Sequence, residues 1–70
     1  MTLGNRIRNC REERGMTHIE LAKKAGLSQG YLSDLEKNKF NPTTPIIIGI
    51  AVALDVSVDE LLGINNKKAG

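Results

Sequence analysis

Residues 17–37 read THIELAKKAGLSQGYLSDLEK, and their punctuation decides the fold. Thr17-His18-Ile19-Glu20 has the form of a capping box: a hydroxyl to take an orphan amide at a helix start, and a carboxylate three residues on to reach back. The spacing predicts a short helix over 19–25, apolar at Leu21, Ala22 and Ala25, which Gly26 ends by adopting the left-handed conformation. After Leu27, Ser28 is a good N-cap for another helix running to about Lys37, with Leu32 and Leu35 on its buried side and Asn38 suited to a left-handed turn. Two helices joined by a few residues that include Gly form a helix-turn-helix. Ala22 has to be small because the second helix crosses close to it, Gly26 permits the turn, and the leucines pack the pair together. In such a pair the second helix enters the major groove of DNA.

Upstream, Leu3, Ile7 and Cys10 recur at i, i+4 and i+7, one face of a first helix whose other sides carry Arg6, Arg8, Arg11, Glu12, Glu13 and Arg14. Gly15 stops it. Downstream, residues 37–42 are polar and end in Pro42, which predicts a surface loop. Thr43 or Thr44 then caps a fourth helix with Pro45 in its first turn and Ile47, Ile50, Ala51 and Leu54 facing the core. Three consecutive isoleucines favour a strand at 46–48, but the apolar pattern continues to Leu54 at helical spacing with no turn signal, which favours helix. Val56 is a linker contact, and Ser57-Val58-Asp59-Glu60 is a second capping box opening a fifth helix through Leu61 and Leu62. Residues 1–64 are thus expected to form one domain and 65–70 a frayed tail carrying Lys67 and Lys68.

Composition narrows the function. The 70 residues carry ten Lys plus Arg against eight Asp plus Glu, a net charge of +2, so charge placement and not its sum has to speak for a polyanion partner. Tyr31 and Phe40 are the only aromatics, too few for the stacking platforms of single-stranded RNA readers. The single Cys10 makes no internal disulfide, and with the single His18 it falls short of four zinc ligands. No signal peptide is apparent and the longest apolar run, 46–54, is nine residues, under half a bilayer span, so a cytoplasmic protein away from membranes is expected. No nucleophile has a base beside it, which argues against an enzyme. No cofactor is called for.

Leu3-Gly4-Asn5-Arg6-Ile7, Arg14-Gly15-Met16-Thr17, Glu20-Leu21-Ala22, Ala25-Gly26-Leu27-Ser28, Tyr31-Leu32-Ser33, Glu36-Lys37-Asn38-Lys39, Pro42-Thr43, Ala51 and the stretch LDVSVDELL at 54–62 resemble the Cro/C1-type (xenobiotic-response-element) helix-turn-helix family from about Leu3 to Leu62. The resemblance implies an all-α, compact five-helix, lambda-repressor-like domain that binds double-stranded DNA, commonly as a dimer on a two-fold operator. It places Gln29, Gly30 and Asp34 where the family reads bases, with Tyr31 and Ser28 beside them. Ser28, Ser33, Lys37 and Lys39, with Thr17 and His18 at the start of the preceding helix, are placed for the DNA backbone. Arg11 and Glu36 match a pair that is largely buried in phage repressors. Two positions depart from the pattern: His18 stands where many members clamp a phosphate with Gln, and Gly30 offers no side chain where others read a base.

Alternatives stand beside several of these residues. His18 reads as a solvated residue or as a phosphate donor, and Cys10 as a core residue where Leu would fit, ahead of a redox role. Arg6, Arg8, Arg14, Lys23 and Lys24 read equally as a solvated charged face. Asp34 either accepts from a cytosine amine, with Gln29 reading adenine one turn earlier, or pairs with Lys37 at i+3; base reading is favoured because Gly30 lets the helix approach closely. Ile48 and Val52 fall on a second apolar stripe of helix four, expected as a homodimer interface. The leading reading is a sequence-specific transcriptional regulator, repression before activation, with no small-molecule effector. The competing reading is an antitoxin-like or co-regulator module that acts by binding another protein, with DNA binding secondary.

Overall fold

The chain folds into five helices: α1 (Leu3–Glu13), α2 (His18–Ala25), α3 (Gln29–Glu36), α4 (Thr44–Leu54) and α5 (Val58–Leu62). The structure is a computed structural model describing residues 2–63, and no strand occurs among them. The tail expected over 65–70 lies outside the described residues.

Local hydrogen bonding sets where each helix begins. Thr17 Oγ1 accepts from Glu20 N at 3.1 Å while Glu20 Oε1 accepts from Thr17 N at 2.9 Å, a closed capping box that starts α2 one residue earlier than expected, at His18. Ser28 Oγ accepts from Tyr31 N and Ser57 Oγ from Glu60 N, so α5 carries the forward bond of the box expected there. Thr43 has the backbone geometry of an N-cap but no capping bond from its side chain; Pro45 in the first turn of α4 lacks an amide and reduces the need.

The helix ends share one device. Gly15, Gly26, Asn38, Asp55 and Gly63 are the positive-φ residues among those described, one at each helix terminus. At the first four ends a following amide bonds back to the carbonyl five residues earlier: Met16 to Arg11, Leu27 to Ala22, Lys39 to Asp34 and Val56 to Ala51. This is the bond of a Schellman motif, which usually brings an apolar contact with it. Met16, Leu27 and Val56 supply that contact by packing against the core; Lys39, after α3, stays exposed.

Every helix contributes to one core. Ile7, Leu21, Leu32, Leu35, Ile50, Leu54 and Leu61 are fully buried, with Ala22 and Ala51 closing the approaches. Ile47, expected among them, is only half-buried, and Leu3 and Cys10 flank the core. The helix over 44–54 replaces any strand at 46–48, and its packing against α2 holds the α2–α3 pair from behind.

Candidate nucleic-acid interface

On α3 the residues Leu32, Leu35 and Glu36 are buried. Away from them Ser28, Gln29, Gly30 and Lys37 are exposed, with Ser33 and Asp34 half-exposed. A Cβ at Gly30 would meet no atom within 4 Å, so the helix backbone is bare there. The hydroxyls of Thr17 and Ser28 accept backbone N–H bonds and keep a proton to donate outward. Tyr31, placed by sequence among the base readers, is half-buried, and its ring packs against Phe40 with centroids 4.8 Å apart and planes inclined at 45°. The chain's two aromatics thus meet, at the flank of α3.

Behind this face lies a three-residue knot. Arg11 Nε donates to Glu36 Oε2 at 2.8 Å and Nη2 to Oε1 at 3.3 Å, while Nη1 reaches Met16 O at 2.8 Å. Both residues are 7% exposed, so the guanidinium and carboxylate neutralise one another away from water and tie α1 to α3. His18 Nε2 lies 2.9 Å from Glu36 Oε1, bringing in the first residue of α2. His18 is therefore neither merely solvated nor detached from the fold. It lines an open cleft of about 240 Å³ with Arg8, Arg11, Ser33, Glu36 and Lys37.

Asp34 pairs with Lys39, not with Lys37: its Oδ1 is 3.6 Å from Lys39 Nζ. The reversal at Asn38 brings Lys39 back over α3, and the ion pair takes the place of the apolar contact found at the other helix ends. Spacing along an ideal helix pointed to Lys37 because it extended α3 past Glu36. A second tie was not legible at all: Gly4 N donates to Asn38 Oδ1 at 3.0 Å, linking the first turn of α1 to the turn after α3. Read from sequence, Asn38 has only a local role in the turn and Gly4 none beyond the family resemblance, since nothing in a linear pattern pairs positions so far apart.

Ile48 and Val52 of α4 are 47% and 73% exposed. Among the described residues no helix is long and apolar enough to cross a membrane, and no cluster of His, Cys, Asp and Glu is arranged to hold a metal ion.

Two short helices locked at Gly26, the second presenting a polar and partly bare face, define a helix-turn-helix protein. The chain belongs to the helix-turn-helix family of the Cro/C1 type, whose profile matches residues 7–61. It is 41% identical over 63 residues to the immunity repressor protein of Bacillus phage phi105, spanning 90% of this chain and 44% of that one. It is 43% identical over 61 residues to the transcriptional regulator SinR of Bacillus subtilis strain 168, spanning 86% and 55%. The crystal structure of SinR in complex with DNA overlays with a TM-score of 0.83 at 42% identity, covering 87% of this chain and 98% of that one. The chain spans about half the length of these curated relatives.

Proposed function

We propose that this protein is a sequence-specific regulator of transcription, acting as a repressor in the cytoplasm, that lays α3 in the major groove of double-stranded DNA. It works by binding and not by catalysis. The observation that carries this reading is the exposed face of α3: Gln29 and the open Gly30 at its amino-terminal end, held against a buried knot that fixes the helix to α1 and α2. Gln29 has the donor and acceptor to pair with adenine, and Asp34 accepts from cytosine once Lys39 turns to a phosphate. Thr17, His18, Ser28, Ser33, Lys37 and Lys39 surround these readers and supply hydroxyls or positive charge for the backbone. Tyr31 acts through its packing on Phe40 and not as a reader. Relatives that include an immunity repressor and a regulator solved on DNA support the same reading.

A regulator of this kind reads two half-sites about 34 Å apart as a two-fold dimer. The exposed pair Ile48 and Val52, at i and i+4 on α4, is the surface we assign to that contact. Selection of bound sequences from a random duplex pool tests the function directly. A two-fold motif is the expected result, and recovery of no enriched sequence would remove the reading.

A further inference from the structure

Among the described residues every glycine but one has a constraint or a neighbour inside the fold. Gly15, Gly26 and Gly63 hold positive φ. A Cβ at Gly4 would press on the carbonyl oxygens of Leu35 and Glu36, and one at Gly49 would stand 3.7 Å from the carbonyl oxygen of Ala25 on α2. Gly30 has neither. It lies within α3, it is absent from the positive-φ residues, it is exposed, and a Cβ there would find nothing within 4 Å. Glycine inside a helix lowers the folding equilibrium constant by about two- to fivefold against alanine, because it leaves more backbone freedom in the unfolded chain. At Gly30 no contact that the chain makes with itself offsets that loss.

The reason for the glycine then lies outside the chain, on the face that α3 presents. Gly30 and Asp34 stand at i and i+4, one turn apart on one stripe of the helix. Gln29 precedes Gly30 and is exposed with it, while Leu32, Leu35 and Glu36 are buried on the other side. Asp34 carries a short side chain and reaches a base edge only where the helix comes close. A side chain at position 30 would meet the floor of the groove first. What the bare position offers is the hydrogens of a Cα, an apolar surface with no reader of its own. The one methyl group on the base edges of the major groove is the 5-methyl of thymine.

We propose that Gly30 is a specificity-determining residue: its bare backbone seats the 5-methyl group of one thymine in each half-site, in or beside the A·T pair that Gln29 reads. The inference rests on the DNA-binding reading above and deepens it, naming a base group and the residue that admits it. A Cβ at position 30 and that methyl compete for one space. Taking the methyl from the DNA leaves a gap against the wild-type helix, worth about fourfold in affinity per half-site for one group of that size. Adding the Cβ while the methyl stays holds the helix off and takes Asp34 out of reach of its base.

The test uses the full chain, its Gly30→Ala variant and the duplex that the wild type selects from a random pool. Each thymidine of a half-site is replaced in turn by 2′-deoxyuridine, which lacks only the methyl. At one position the replacement is expected to weaken wild-type binding about fourfold per half-site. The variant is expected to bind the unaltered duplex roughly tenfold more weakly than the wild type and to regain affinity on the duplex that lacks that same methyl, a reversal of preference. Without DNA, its midpoint of urea unfolding is expected to equal or exceed that of the wild type. A wild type indifferent to the loss of every methyl overturns the proposal and leaves the DNA-binding reading standing. So does a variant that binds the unaltered duplex as tightly as the wild type, or that keeps the wild-type preference for the methyl. A lowered urea midpoint also overturns it, since the fold itself would then require Gly30. A selection that recovers no enriched sequence removes the DNA-binding reading and the proposal with it.

Discussion

Gly4 lies in the first turn of a helix and yet abuts the end of another. A Cβ built there would stand 2.6 Å from the carbonyl oxygen of Leu35 and 2.7 Å from that of Glu36. Gly to Ala within a helix ordinarily stabilises by about 0.5–1 kcal/mol. Here two of the three obstructing atoms are backbone and the third is Asn38 Oδ1, so Gly4→Ala is expected to cost about 1–3 kcal/mol and lower the midpoint of urea unfolding; a raised midpoint would show that α1 gives way freely. Cys10 is a second residue with a readable consequence. Burial, followed by the charge of Glu13, raises its thiol above the ordinary value of 9.0. The fold favours the protonated thiol, so that contribution is intact below the unfolded value and is lost as pH climbs past it. Urea midpoints of the wild type should fall more steeply above about pH 9 than those of Cys10→Ala, and iodoacetamide should label the folded chain more slowly than the unfolded one. Asp34 pairs with Lys39 in the structure and is proposed above to read a base. Asp34→Ala should relax preference at one C·G pair by roughly 1–3 kcal/mol while non-specific binding rises. Selection with the variant checks it, and an unaltered motif would leave Asp34 only as the partner of Lys39.

At the scale of the element, α4 carries more apolar surface than its buried side uses: Ile50, Ala51 and Leu54 face inward while Ile48 and Val52 face out. Replacing both exposed residues with Glu should leave the helical circular dichroism intact and give a monomer by sedimentation at tens of micromolar, with weaker operator binding. A wild-type protein that is itself monomeric there would count against the assignment. Helix ends were the most legible part of the sequence, because their chemistry is local. Thr17 with Glu20, Ser28, Gly15, Gly26 and Asn38 each act within about five residues. Asp55 escaped because Asp enters the left-handed region only occasionally, and only the Val56 to Ala51 bond reveals it. The site was legible in part. Its exposed face follows from the burial of Leu32 and Leu35, but the bond from His18 to Glu36 spans 18 residues, and the meeting of Asp34 with Lys39 depends on a chain reversal that helical spacing does not encode. Resemblance could suggest the Arg11 and Glu36 pair; only the packed structure gives its third member.

For the whole molecule, seven fully buried side chains drawn from all five helices hold together elements too short to be helical alone. The duplex would meet this assembly as one body, and the bulk of its affinity should come from phosphates. Lys37→Ala is therefore expected to weaken binding to all sequences alike and to flatten the slope of log K against log salt by about one unit; loss confined to one base position would reassign the residue. The bond from Gly4 to Asn38 has a consequence for the order of assembly. It closes a loop of 34 residues that contains all of α2 and α3, and closing a loop of that length forfeits about 3 kcal/mol of chain entropy. The short-range bonds at Thr17, Gly26 and Ser28 carry no such charge and can form as soon as their own residues meet. Once the core holds the pair of helices that would face the duplex, their caps can close locally, whereas the tie between the turn after α3 and α1 closes only when the beginning of the chain has returned; loosening α1 releases that tie and leaves the turn its own bonds from Asn38 to Leu35 and from Lys39 to Asp34.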